Sequence, residues 1–284
     1  MAESINIPLL DIYRDIAPED IQTGKNFVLR RESAANGLAS LIDALLADAA
    51  EKIVRICYRY GVNPTTFTFT PQYNGKMFEE VAQVLNELED ELLDLIESYA
   101  MKCTEGDDKK KWLLLFILSL GRNGKGLQKS LDDRLWVFSR DLEAMIAASK
   151  LAKMDVARAV SVIRSNLHTA YNMPGMKSAF KNASQFQATY IRTRGVKKGN
   201  MGNSNSEANN IVRFGKMTVQ MAWMKYHYQE YKNNGAAGYY VLRGSTYPCS
   251  LCDSFVGFHA INDVDSYPPY HAHCCCYTVP VFKI

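Results

Sequence analysis

Two stretches decide how this chain folds: Tyr247-Pro248-Cys249-Ser250-Leu251-Cys252, and Pro268-Pro269-Tyr270-His271-Ala272-His273-Cys274-Cys275-Cys276. Between Tyr247 and Ile284 fall five of the seven cysteines and three of the five histidines. Two thiolates separated by two residues on a tight turn can face one cation, and a second pair from a later turn completes a tetrahedron with Zn–S of roughly 2.3 Å. Cys249 and Cys252 have that spacing. His271 and Cys274 form a His-x2-Cys second half, and Asp253 to Tyr270 is a loop of suitable length for a zinc ribbon. The expected cofactor is therefore a structural Zn2+ that closes this loop.

Downstream of His271, the residues Cys274 to Val281 read as a short strand. Side chains alternate along a strand, so Cys274 and Cys276 share one face while Cys275 and Tyr277 share the other. Either Cys274 or Cys276 can then supply the fourth ligand, Cys275 is the poorer candidate, and His259 and His273 are spare donors. Disulfides are the competing use of these thiols. Met1-Ala2-Glu3-Ser4-Ile5 has no basic segment ahead of an apolar run, so no secretory leader is expected and reduced thiols are the expectation.

Outside this region the chain is ordinary for a globular protein, with 284 residues, 47% hydrophobic and 22% charged. That length allows one large or two modest domains, each with its own core. A net charge of +3 is too small to imply nucleic-acid binding from composition. The longest apolar run, Trp112 to Leu118 with Leu120 beyond it, is short of the ~20 residues that span a bilayer and is expected to be a buried helix rather than a membrane segment.

Working toward the N-terminus, Tyr239 to Arg243 is a predicted strand leading into the first cysteine pair. Before it, Phe214, Met217, Met221, Met224, Tyr228 and Tyr231 repeat at three and four, a helix stopped by Asn233-Asn234-Gly235. Asp155 N-caps a helix with Val156, Val160 and Ile163 on its buried side. Leu131, Leu135, Phe138, Leu142, Met145 and Ile146 define another helix, and Val81, Leu85, Leu88, Leu92, Leu95 and Tyr99 define an acidic amphipathic one. Leu41, Leu45, Ile53 and Ile56 fall on a helical stripe ended by Gly61 and Pro64. Thr65 to Thr70 alternates like a strand, and residues 1–34, broken by Pro8 and Pro18, read as an irregular arm. The fold class is α+β: predominantly helical, with a small C-terminal zinc-ribbon-like β module. An N-terminal helical region, 1–126, precedes a domain at 127–284.

Two further stretches bear on function. Gly121-Arg122-Asn123-Gly124-Lys125-Gly126 lacks both the spacing and the Ser or Thr of a phosphate-binding loop, and reads as a connector. From Val156 to Ser206 there is no Asp or Glu, while Arg158, Arg164, Lys177, Lys181, Arg192, Arg194, Lys197 and Lys198 alternate with Phe180, Phe186 and Tyr190. A span of this kind can track a nucleic-acid backbone and stack bases, or face an acidic protein.

The C-terminal order of strand, Cys-x2-Cys, Gly-containing loop, Pro-Pro-x-His, cysteines and final Pro-Val strand resembles the phage head morphogenesis family typified by the Mu F protein, also called minor head or minor capsid proteins. The matching residues are Cys249, Cys252, Gly257, Pro268, Pro269, His271, Cys274, Cys276, Pro280 and Val281. Ala272, His273 and Cys275 stand where the family has Pro, Asn and Arg. The resemblance covers Leu127 to Phe282, strongest at the C-terminus. It implies a low-copy, non-enzymatic virion component that acts in head assembly in the host cytoplasm and resides in the phage head. Its partners would be portal and capsid proteins, with packaged DNA reached through the Arg158–Lys198 span.

Three other activities compete. Pro248-Cys249-Ser250-Leu251-Cys252 reproduces half of a zinc-dependent nucleobase deaminase signature, but the His-x-Glu half is missing, the nearest match being His227-Tyr228-Gln229-Glu230. Cys/His nucleophilic catalysis, as in a prohead protease, needs a thiol beside a base. A DNA-binding zinc module would rest on the acid-free span.

Overall fold

The computed structural model describes residues 16–104, 126–168, 206–271 and 274–282. The first helix among the described residues, α1, runs Pro18–Arg59 and is 42 residues long. It starts well inside the segment that periodicity assigns to an irregular arm. Pro18, Glu19 and Asp20 suit a first turn, where a missing N–H costs nothing and carboxylates oppose the positive end of the helix dipole. The buried positions of its opening turns are Gly24, Val28, Arg31, Ala35 and Leu38. Their spacing is helical, but a glycine and an arginine occupy the inner face, so hydrophobicity alone shows no stripe. Further along, the core runs through Ile42, Leu46, Ile53 and Cys57, while Leu41 is 43% exposed. The expected stripe is thus rotated, sharing only Ile53 with the buried face. Gly61, at φ +64°, follows the helix as anticipated.

Helix α2 is Gly75–Met101, α3 Leu127–Leu151, α4 Val156–Asn166 and α5 Glu207–Asn233. All six apolar positions predicted for α3 are buried. Asp155 caps α4 as expected, accepting the Arg158 N–H at 2.8 Å. The alternating segment 65–70 is a turn and not a strand; Phe67 and Phe69 are both buried and meet edge to face at 5.1 Å. The 112–118 run, 121–125 and 169–205 lie outside the described residues, which leaves Arg158 and Arg164 on α4 as the described part of the basic span. Among the described residues no helix is long and apolar enough to cross a membrane.

Two compact units are built from interleaved segments. One takes Ala39–Leu95 and Ser119–Phe214. Within it Glu143, fully buried, accepts the Phe69 N–H at 2.9 Å and Arg140 at 2.6 Å, and Asp141 accepts the Glu207 N–H at 2.9 Å, capping the start of α5 from another helix.

The other unit takes Met1–Leu38, Ile96–Leu118 and Gly215–Ile284, drawing on both sides of residue 126. Its sheet has strands β1 Gly238–Leu242, β2 Gly257–Ala260 and β3 Tyr277–Val281, antiparallel in the order β2-β1-β3. Alternation along β1 divides the core. Tyr239 and Val241 join Tyr228 and Tyr231 of α5 and Cys252, Cys274 and Cys276 on one face. Leu242, with Tyr277 and Val279 of β3, meets Ile16, Val28, Ile21 and Phe27 on the other. The chain is therefore mostly helical with a small C-terminal sheet, an α+β fold.

Candidate metal centre

The first cysteine pair sits on a single helical turn, α6, Ser250–Asp253, with Cys249 as its N-cap. Arg243 at the end of β1 fixes that turn, bonding the carboxylate of Asp253 and the carbonyl of Tyr247. The second half is placed by tyrosines. Tyr270 donates to the Ser266 carbonyl at 2.7 Å, its ring stacks on Phe255 at 4.3 Å, and the buried hydroxyl of Tyr267 lies 2.9 Å from that of Thr278. The Cys274 N–H donates to the His271 carbonyl at 3.0 Å, which holds these two residues together. Backbone contact closes the arrangement, because Gly244 approaches the Cys275 carbonyl so nearly that a Cβ there would lie 1.9 Å from it.

All five residues proposed from sequence as ligands converge. Cys249, Cys252 and His271 form one group and Cys252, Cys274 and Cys276 another, the donor atoms within each lying within 4.8 Å of one another. His271 Nε2 is 3.4 Å from Cys249 Sγ and 3.1 Å from Cys252 Sγ, and Cys252 Sγ is 3.9 Å from Cys274 Sγ. Tetrahedral zinc with Zn–S of roughly 2.3 Å and Zn–N of roughly 2.0 Å requires edges of about 3.8 Å between sulfurs and about 3.5 Å between sulfur and nitrogen. These separations are close to those edges. Cys252 belongs to both groups, so it is the pivot of the cluster, and the two groups leave Cys274 and Cys276 both in reach of it. This cluster could hold a metal ion.

Cys274 and Cys276 are buried and Cys275 is half-buried, as alternation predicts. The cause is different, because β3 begins only at Tyr277 and the three cysteines precede it. All seven cysteines are free thiols, so the disulfide alternative is not realised. His259 is no spare donor: its Nδ1 is 3.1 Å from Asp263 Oδ2 and its Nε2 2.8 Å from the Phe255 carbonyl. His273 is outside the described residues.

The thiols differ in acidity. A hydrogen bond from Cys276, backed by backbone N–H groups and the charge of Arg31, holds Cys274 down to about 5, while Cys276 is pushed up by the same hydrogen bond and by burial. Burial, with Cys274 nearby, pushes Cys252 up to about 12. Backbone N–H groups of the α6 turn, that of Cys252 foremost, lower Cys249. Closely spaced thiols of this kind cannot all ionise unless a cation joins them, which is the condition a thiolate-bound metal satisfies.

No protein-family model, curated protein or solved structure matches the chain. His227 does not supply a deaminase half-site, since its ring stacks on Phe27 at 3.8 Å and it belongs to neither group of metal donors. Both groups consist of cysteine and histidine donors alone. Arg31, Arg243, Gly244, Tyr267 and Tyr270 are the structural residues that ligand spacing does not reveal. Only Gly244, a glycine between a strand and a cysteine turn, carries a local signal.

Proposed function

We propose that the chain is a phage minor head protein that acts in head morphogenesis, its C-terminal module held by a structural zinc ion. The observation that carries this reading is the convergence of Cys249, Cys252 and His271 with Cys274 and Cys276, in the order and spacing that the Mu F-like resemblance rests on. Thiolate and imidazole donors suit zinc among the common metals. With four protein ligands the ion has no open position, so it contributes folding free energy and no chemistry. The module is small, with strands of four and five residues, and metal-linked loops are a common way to stabilise a sheet of that size. Portal and capsid proteins are its partners in this reading, and packaged DNA is reached through the Arg158–Lys198 span.

Quantitative mass spectrometry of purified phage particles and of empty heads tests the role. The expected result is this chain in both, at a low fixed ratio to portal subunits; absence from both would remove the reading. Zinc analysis of the purified protein, expected to give one ion per chain, tests the metal.

A further inference from the structure

Arg31 is fully buried, yet it comes from α1, 243 residues from its partner in the cysteine cluster. A buried cation is tolerated only when paired and hydrogen-bonded. Arg31 is incompletely so. Its Nε and Nη2 reach Glu32 Oε1 at 3.0 and 2.8 Å, and Nη2 also donates to the Cys274 carbonyl, but Nη1 has no hydrogen-bond partner among the described residues. Glu32 is moreover shared, because Gln220 Nε2 donates to both its oxygens at 2.8 and 3.0 Å. A group of net negative charge beside Arg31 would complete the compensation. Zinc with three thiolates and one imidazole carries one net negative charge, and with four thiolates two.

We propose that Arg31 is the positioning residue of the metal centre: it fixes the Cys274 main chain and balances the charge of the metal–thiolate group, linking metal loading to the seating of Pro18–Leu38. The inference rests on the metal-site reading above and extends it to a residue outside the ligand set. Linkage is reciprocal, so metal binding steadies this part of α1 and a seated α1 tightens the metal. Gly24 is part of the same device. A Cβ there would lie 2.9 Å from the Thr278 carbonyl, so the helix rests directly on β3, within one turn or two of Arg31.

The test uses the full chain as wild type, R31K and R31M, each titrated with Zn2+ against a chromophoric chelator and with Co2+ for its absorption spectrum. Hydrogen exchange of residues 18–38 is followed with and without metal. Changes to the partners of ligand residues weaken metal binding by roughly ten- to a hundredfold, and R31M is expected in that range. R31K keeps the charge but not the forked geometry, and should fall between R31M and wild type. The thiolate-to-cobalt charge-transfer band should persist in R31K and diminish in R31M. In wild type, amides of 18–38 should be slow with metal and faster after chelation, a difference that R31M abolishes. Should R31M not fold, R31K decides alone, with an affinity loss of severalfold expected. Arg31 variants that match wild type within about twofold in affinity, with unchanged exchange, would overturn the role of Arg31 only. A wild-type chain that takes up neither metal would overturn the metal centre itself.

Discussion

Cys252 and Cys275 are both cysteines of the C-terminal module, yet they should behave in opposite ways when replaced. Cys252 is common to both groups of donors, whereas Cys275 belongs to neither. Cys252→Ser should abolish stoichiometric zinc and unfold the module, while Cys275→Ser should retain one zinc per chain and a near-native Tm; elemental analysis and thermal melts of the two variants make the comparison. His227 supplies a second prediction. Burial, with Arg31 nearby, pushes it down to about 4 from an ordinary 6.5. Phe27 and Tyr231 lie against its ring and the Tyr267 hydroxyl is 3.3 Å from its Nδ1. The unfolded chain therefore binds the extra proton first. Stability from the neutral imidazole is complete above pH 6.5 and is lost as pH falls from there to about 4. The full loss is on the order of 3 kcal/mol. His227→Phe should flatten this part of the curve of stability against pH, measured by urea unfolding of both proteins at the same zinc concentration, so that metal release is common to the two curves and their difference isolates His227.

At the scale of elements, the ligand turns were legible because their information is local. A Cys-x2-Cys turn and a His-x2-Cys turn announce themselves by spacing, and Asp155 announces a helix start by its own chemistry. The start of α1 was not legible, because its inner face is occupied by Gly24 and Arg31. Their reasons are the Thr278 carbonyl and the Cys274 carbonyl, both more than two hundred positions away in sequence. Hydropathy cannot register a partner of that kind. Close backbone approach predicts the cost of filling such positions. Gly24→Ala should destabilise the chain by about 1–3 kcal/mol, the range for forcing extra atoms into a packed site, because the Cβ meets a carbonyl and the Tyr277 ring at 2.9 and 2.8 Å. Gly75→Ala, where a Cβ meets nothing within 4 Å, is the control and should be neutral or slightly stabilising by denaturant melts. Asp155→Ala should lose about 0.5–2 kcal/mol through its cap on α4, since the Arg158 N–H bond at 2.8 Å has no replacement.

At the scale of the whole molecule, the two compact units have cores of different origin. Unit Ala39–Leu95 with Ser119–Phe214 is filled by helical side chains such as Ile42, Leu46, Leu92, Leu135 and Leu142, which need no cofactor. The sheet-containing unit places Cys252, Cys274 and Cys276 in the same cluster as Tyr228, Tyr231, Tyr239 and Val241, so part of its interior is donor atoms. Thiols crowded there oppose one another if ionised without a cation, and metal uptake must displace their protons. Chelation or mild acid should accordingly act on one unit first. After removal of zinc at neutral pH, amides within 238–242 and 277–281 should exchange much faster, while those of α3 and of α1 beyond Ala39 keep most of their protection. Exchange followed by mass spectrometry resolves the two groups of peptides. Uniform loss of protection throughout would mean that the helical core depends on the metal as fully as the sheet does. No change anywhere would mean that tyrosine packing alone holds the C-terminal module together, with the cysteines serving as ordinary core residues.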